Sequence, residues 1–321
     1  MLTKMRNFLP MFWRQLQTRR LPWVPALSAA EQTRLTWAKA IESQTEVPTI
    51  YRFFFESPSA SGQPFPYTVL TPPRDGFFHK TTEKLVVYSV QEINVLENLE
   101  GRYKLHCYPI EKISYVEVGT ILLDAYIKIS GATRDGSPDS VTIQFNSVTD
   151  YLFTPILKGI RLAATGHRET SNGNEKGKFD HLSRLNYKFM NYAKRSLLAG
   201  EKIVQFMLQS EIQMPIIKLF GRTYHRALSP THMSILTDRE LIMIREEEPK
   251  NRVIGKYGGI WNYIPLNKIT ALNLTSRDNG LLMLSICLPE DTQLGFLFQA
   301  SMKPEIDQLL NHFDEIVAAW K

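Results

Sequence analysis

This 321-residue chain aligns with itself. Slid by 156 residues, Thr81-Thr82-Glu83-Lys84-Leu85-Val86-Val87-Tyr88 lies over Thr237-Asp238-Arg239-Glu240-Leu241-Ile242-Met243-Ile244. At the same offset Tyr108-Pro109-Ile110-Glu111-Lys112-Ile113-Ser114 lies over Ile264-Pro265-Leu266-Asn267-Lys268-Ile269-Thr270. Upstream, Ile50–Phe55 lies over Ile203–Leu208 at an offset of 153. A unit repeated at this period predicts two like structural units, because each copy carries the same apolar pattern. A length of about 150 residues per domain agrees. The alignment predicts that residues 77–118 and 233–274 superimpose strand for strand.

Each copy reads as short strands followed by one helix. In the second, Met233–Leu236 and Leu241–Arg245 are strand-like around a Thr237-Asp238 turn. Ile269–Leu274 and Leu281–Leu288 flank Asp278-Asn279-Gly280, a hairpin signal because Asn and Gly tolerate positive φ. Gln293–Gln299 follows. Ser301 then caps a helix whose apolar positions, Ile306, Leu309, Leu310, Phe313, Ile316, Val317 and Trp320, form one face. In the first copy the strands are Leu85–Val90, Ile113–Val118, Leu122–Ser130 and Val141–Asn146. Ser147 and Asp150 form a variant capping box there. The helix that follows is weakened by Pro155 and Gly159.

The run Thr237–Ile244, the strand start Ile264-Pro265-Leu266-Asn267-Lys268-Ile269 and the opening strand Leu198-Ala199-Gly200-Glu201-Lys202-Ile203 resemble bacterial PH-like and GRAM-like domains. The resemblance covers residues 198–320 more clearly than 49–164. There Val47-Pro48-Thr49 replaces the Gly-Glu pair and a Pro-rich loop from Ser57 to Pro73 is inserted. It implies an α+β chain of two PH-like barrels in tandem, each a strongly bent antiparallel sheet closed by a C-terminal helix. The expected domains are a basic helical arm (1–48), a first barrel (49–164), a loop and linker helix (165–197) and a second barrel (198–321).

Charge is distributed unevenly along this plan. The net charge is +6, and its whole basic excess lies in residues 1–48, with seven Lys/Arg against three Asp/Glu, and 165–198, with seven against three, the remainder being slightly acidic. The expected barrels are slightly acidic, which argues against a nucleic-acid-binding fold. Residues 1–25 hold Lys4, Arg6, Arg14, Arg19 and Arg20 and no acidic residue. Phe8, Leu9, Phe12, Trp13 and Leu16 lie among them at helical spacing. Arg14, Arg19, Arg20, Phe12 and Trp13 are therefore the candidate contacts with an anionic membrane or a partner. The same apolar face has two other occupants open to it, the first copy or a second subunit. Ser28-Ala29-Ala30-Glu31 is a capping box opening another helix before Pro48. Residues Phe179–Leu198 read as an amphipathic helix, packed on a domain or lying on a membrane or partner.

Candidate chemistry is sparse. Gly173–Phe179 fails as a phosphate loop, because its first glycine is misplaced and Phe179 stands where a hydroxyl is needed; it reads as a flexible linker. His106 and Cys107 are adjacent in a strand, so they point to opposite faces and make no nucleophile pair. Cys107 and Cys287 read as small hydrophobes. The histidines show no metal-ligand spacing, so neither metal nor cofactor is expected. Glu246-Glu247-Glu248 reads as a solvated strand end. Lys218, Arg222 and Arg226 sit where the resemblance places an anion-binding loop.

Two cysteines and no apolar run of about 18 residues imply a reduced, cytoplasmic location, peripheral to the inner membrane face if the arm binds lipid. The expectation is a non-enzymatic binding or adaptor protein engaging a protein partner or an anionic membrane surface. An enzyme and a nucleic-acid adaptor using the basic arm are the alternatives.

Overall fold

The computed structural model describes residues 35–56, 64–75, 80–165, 174–219, 222–247 and 258–319. The arm, with Phe12, Trp13, Arg14, Arg19 and Arg20, lies outside them, as does the capping box at Ser28. The first half of the chain builds β1 (Lys39–Ile41), β2 (Tyr67–Thr71), β3 (Arg74–Asp75), β4 (Lys80–Thr81), β5 (Lys84–Tyr88), β6 (Glu92–Leu99), β7 (Arg102–Pro109), β8 (Ile113–Ile121), β9 (Asp124–Ala132) and β10 (Pro138–Asn146). Between β1 and β2 lies a single helical turn, α1 (Arg52–Phe55), and after β10 comes α2 (Thr154–Thr165). A 3-10 segment (Glu175–Arg184) and α3 (Tyr187–Ser196) lead to the second half. There follow β11 (Ile203–Gln209), β12 (Ile212–Leu219), β13 (Arg222–Ser229), β14 (His232–Thr237), β15 (Glu240–Arg245), β16 (Gly258–Pro265), β17 (Ala271–Arg277), β18 (Leu281–Cys287), β19 (Gln293–Gln299) and α4 (Lys303–Ala318).

The strands form open antiparallel sheets, ordered β1-β2-β5-β6-β7, β10-β9-β8-β16-β15-β14-β11 and β17-β18-β19, with two-stranded ribbons β12-β13 and β3-β4. None closes into a barrel, so the two expected PH-like barrels and the GRAM-like resemblance do not hold. Closure requires the first and last strands of a sheet to pair. Here the edge of β16 pairs with β8 of the first half, from Gly258 opposite Ile121 to Tyr263 opposite Val116. That pairing extends one open seven-stranded sheet through both halves.

The internal repeat has a different register from the one the sequence suggests. Glu92 opposes Pro109 across β6–β7, and Glu240 opposes Pro265 across β15–β16. Lys84 opposes Glu97, and His232 opposes Arg245. Thr71 opposes Lys84, and Gln209 opposes His232. The corresponding strands are thus β2 and β11, β5 and β14, β6 and β15, β7 and β16. The offset of 156 fits β7 and the 3-10 turn after it, but β5 and β6 are offset by 148. Thr81–Tyr88 therefore matches Ser229–Leu236, not Thr237–Ile244. The eight residues enter between β15 and β16, where the first half has only Glu100 and Gly101, both with positive φ. Ile50–Phe55 is helical, so it does not match β11; β2 does, from within the expected Pro-rich insertion. The Ile110 and Leu266 N–H groups donate at 2.9 Å to Gln91 and Arg239 carbonyls, one such bond in each half.

Packing explains the apolar runs. Val86, Ile93, Val95 and Tyr108 join Ile127, Ile129, Ile143 and Phe145 and α2 residues Ile156 and Ile160 in one core. Leu85, Val87 and Leu96, on the opposite face, pack with Val47 and Tyr51. The second half buries Leu241, Ile264, Leu284 and Phe298 under α4 residues Ile306, Leu309 and Phe313. Phe179, Leu182, Phe189 and Met190 cover the outer face of β14–β16. The single helix expected over Phe179–Leu198 is a 3-10 segment and an α-helix, because Asn186 caps α3 by accepting the Phe189 N–H at 3.2 Å. The part of the expected flexible linker from Glu175 on is structured, and Phe179 is fully buried. Neither Ser cap forms. Asn146 accepts from Val148 N–H while Ser147 donates to Leu122 O, and no side chain caps α4.

Candidate functional site

The strongest candidate grows from the alternation of β7. His106 and Tyr108, two apart, point to one face and meet Asp139 near the start of β10. His106 Nδ1 and Tyr108 OH both lie 2.6 Å from Asp139 Oδ2. The carboxylate only accepts, so Nδ1 carries a hydrogen, and Nε2 is the acceptor whenever the ring is neutral. The His106 side chain is 3% exposed, and Nε2 has no hydrogen-bond partner among the described residues. Its nearest charged neighbour is Glu97 Oε2 at 3.6 Å. Glu97 is occupied by Lys84 at 2.8 Å and Thr82 OH at 2.5 Å.

Burial works to raise the carboxyls of Asp139 and Glu97, but hydrogen bonds from Tyr108 and His106, and from Lys84 and Thr82, outweigh it and hold both below the usual range. Burial and Asp139 push the Tyr108 phenol well up. A cleft of about 340 Å³ opens beside these groups, lined also by Lys104, Ser140, Thr142 and Gln144.

The second half has a cavity of about 280 Å³ in the corresponding place. His232, Arg245 and Asn262 line it at the positions that Lys84, Glu97 and His106 occupy in the first half. Gln293, Leu294 and Gly295 stand where β10 contributes Ser140, Val141 and Thr142. One location therefore carries two chemistries, a cleft of ion-paired groups around His106 and a cavity in which the buried His232 and Asn262 stand beside the Arg245–Glu117 pair.

The sequence-derived candidates fall elsewhere. The expected anion-binding loop is the ribbon β12-β13, in which Lys218 opposes Thr223, Leu219 opposes Arg222 and Met214 opposes Arg226. Arg226 is exposed; the side chains of Lys218 and Arg222 lie outside the described residues. Cys107 lies near Glu92, at 3.7 Å, while His106 meets Asp139, so the neighbours do face opposite ways. Glu246 pairs with Lys188 at 2.9 Å; Glu248 lies outside the described residues. Among the described residues no cluster of His, Cys, Asp or Glu could hold a metal ion, and no helix is long and apolar enough to cross a membrane. The Asp139 partnership was invisible in sequence, since 31 and 33 residues separate it from Tyr108 and His106. The only available signal was the two-residue spacing of His106 and Tyr108 in a strand.

The adaptor reading rested on the grooves and loops of closed PH-like barrels, and with the sheets open it loses that basis; the membrane contact was expected of the basic arm, which lies outside the described residues. No protein-family model matches the chain, and no curated protein matches its sequence. The functional reading rests on the two clefts.

Proposed function

We propose that the chain binds a small polar solute in the His106 cleft and does not transform it. The observation that carries this is a buried imidazole, oriented by Asp139 through Nδ1, with its other nitrogen unpartnered at a cleft wall. A solute must offer Nε2 a hydroxyl or amine hydrogen. Lys104, exposed and opposite Glu97 on the neighbouring strand, suits an anionic group on the same molecule. Hydroxy- and amino-carboxylates combine both. Binding is preferred to catalysis because the orienting pair has no reacting partner beside it. Ser140 Oγ is 3.1 Å from Ser130 Oγ, and among the described residues no hydroxyl is bonded to His106.

Histidine-selective ¹⁵N NMR tests the reading with four probes. Lactate and serine should shift the His106 Nε2 resonance saturably. Acetate, lacking the donor, and glycerol, lacking the charge, should bind at least about tenfold more weakly, the effect of one lost interaction of about 1.4 kcal/mol. Failure of all four to move that resonance at tens of millimolar would refute it.

A further inference from the structure

We propose that the cavity between β14–β16 and β18–β19 is a second and chemically different binding site, for a neutral organic molecule with an apolar body and an N–H or O–H donor. It stands on residues separate from the His106 cleft.

His232 and Asn262 are 1% and 2% exposed. His232 Nδ1 lies 3.1 Å from the Pro230 carbonyl, which can only accept, so Nδ1 holds the hydrogen and Nε2 presents a lone pair. Neither Nε2 nor Asn262 Oδ1 has a hydrogen-bond partner among the described residues. Both residues line the cavity. Ser234, on the same face of β14 as His232, has a buried hydroxyl that is also unpartnered. Native interiors seldom leave acceptors in this state, because each has given up water without recovering a hydrogen bond.

Charge and shape narrow the class. Burial keeps His232 neutral, and Arg245 on the adjoining strand opposes any further positive charge there. A cation is therefore disfavoured. An anion would meet two accepting atoms inside, while Arg245 is already 3.7 Å from Glu117, which Tyr126 also engages. Glu117 lines the cavity too, so the charge of Arg245 is paired within its wall, and Leu228, Met283, Leu294 and Phe296 supply apolar surface beside Ser229 and Gln293. A neutral donor on a ring or short chain fits these groups.

Indole and indene form a matched pair of probes, alike in shape and differing in the N–H. Calorimetry on the full chain should show indole binding at least about tenfold more tightly than indene, and indole should shift the His232 Nε2 resonance. Asn262→Leu and His232→Phe should each reduce the preference, with circular dichroism checking that the variants fold. The comparison of the two probes on the unaltered chain stands even if they do not. Equal affinities would show an apolar crevice without functional acceptors and overturn the proposal. So would no binding of either probe up to its solubility, with ordered water alone on His232 and Asn262.

Discussion

Arg161 and Glu240, 79 residues apart, form a fully buried fork. The Arg161 Nε lies 3.1 and 3.2 Å from the two Glu240 carboxylate oxygens, and a terminal nitrogen bonds the same group. The guanidinium also donates to Ser196 O at 2.8 Å and sits 3.8 Å over the Tyr263 ring. One cation thus joins α2, the end of α3, β15 and β16. Burial opposes its charge, but Glu240 outweighs that and holds the arginine charged.

Removing one member leaves the other charge buried without its counterion. Arg161→Met should therefore destabilise the chain by about 3–5 kcal/mol in urea titration. Adding Glu240→Met should restore most of that loss, since a buried pair is often replaceable by apolar groups of like volume. A double variant as unstable as the single one would show that the fork does more than neutralise itself.

Glu201 shares this pocket, with its carboxylate 3.7 Å from Arg161, and burial followed by the Glu240 charge pushes it up to about 10. Its folded pKa lies above the ordinary carboxyl value of 4.5, so the folded state holds the proton that the unfolded chain releases. Stability from this group is full below about 4.5 and is lost as pH rises towards 10, by at most about 1.4 kcal/mol per pH unit. Glu201→Gln should flatten that slope in denaturant titrations across the window. An unchanged slope would place the titration elsewhere.

Apolar periodicity made β14, β15, β18 and the buried face of α4 legible, because local pattern alone dictates them. Asn279 and Gly280 take the positive φ that their turn predicts. The repeat was visible in outline but misregistered. Both candidate strands are apolar, so Leu85-Val86-Val87 matches Leu241-Ile242-Met243 at least as well as it matches its true counterpart, Met233-Ser234-Ile235. Strand pairs such as Glu92–Pro109 and Glu240–Pro265 settle the register, and that needs partners. Sheet closure was not legible either, because the β8–β16 pairing joins residues remote in sequence. The same distance hid the Asp139 and Arg161 contacts.

Gly159 shows propensity overridden by packing. In sequence it weakens α2, yet a Cβ there would overlap the Tyr88 hydroxyl. Gly159→Ala should cost about 1–3 kcal/mol by overpacking, although alanine is the better helix former by about 1 kcal/mol. A stabilised variant in thermal unfolding would mean that Tyr88 moves aside freely.

Phe313 lies midway along the buried face of α4, packed into the second-half core and 7% exposed. Phe313→Ala should cost about 3–5 kcal/mol in denaturant titration. A loss below about 1 kcal/mol would show that α4 does not hold that core.

His232 gives the opposite pH dependence to Glu201. Burial depresses its pKa from 6.5 to about 4, with Arg245 assisting and the Pro230 carbonyl opposing. Between these values the unfolded chain binds a proton that the folded one refuses. Stability from this group is thus full above about 6.5 and falls as pH drops towards 4, by on the order of 3 kcal/mol over the window. From about 4.5 to 6.5 the two groups oppose one another, and above 6.5 only Glu201 still titrates. Comparison with His232→Asn should isolate the acid-side contribution: the difference in unfolding free energy should narrow steadily as pH falls from 6.5 to 4. If that difference is constant with pH, the imidazole takes up its proton inside the fold and is not held neutral there. The lone pair assigned to the cavity would then be lost at the same pH, and indole binding should fail with it.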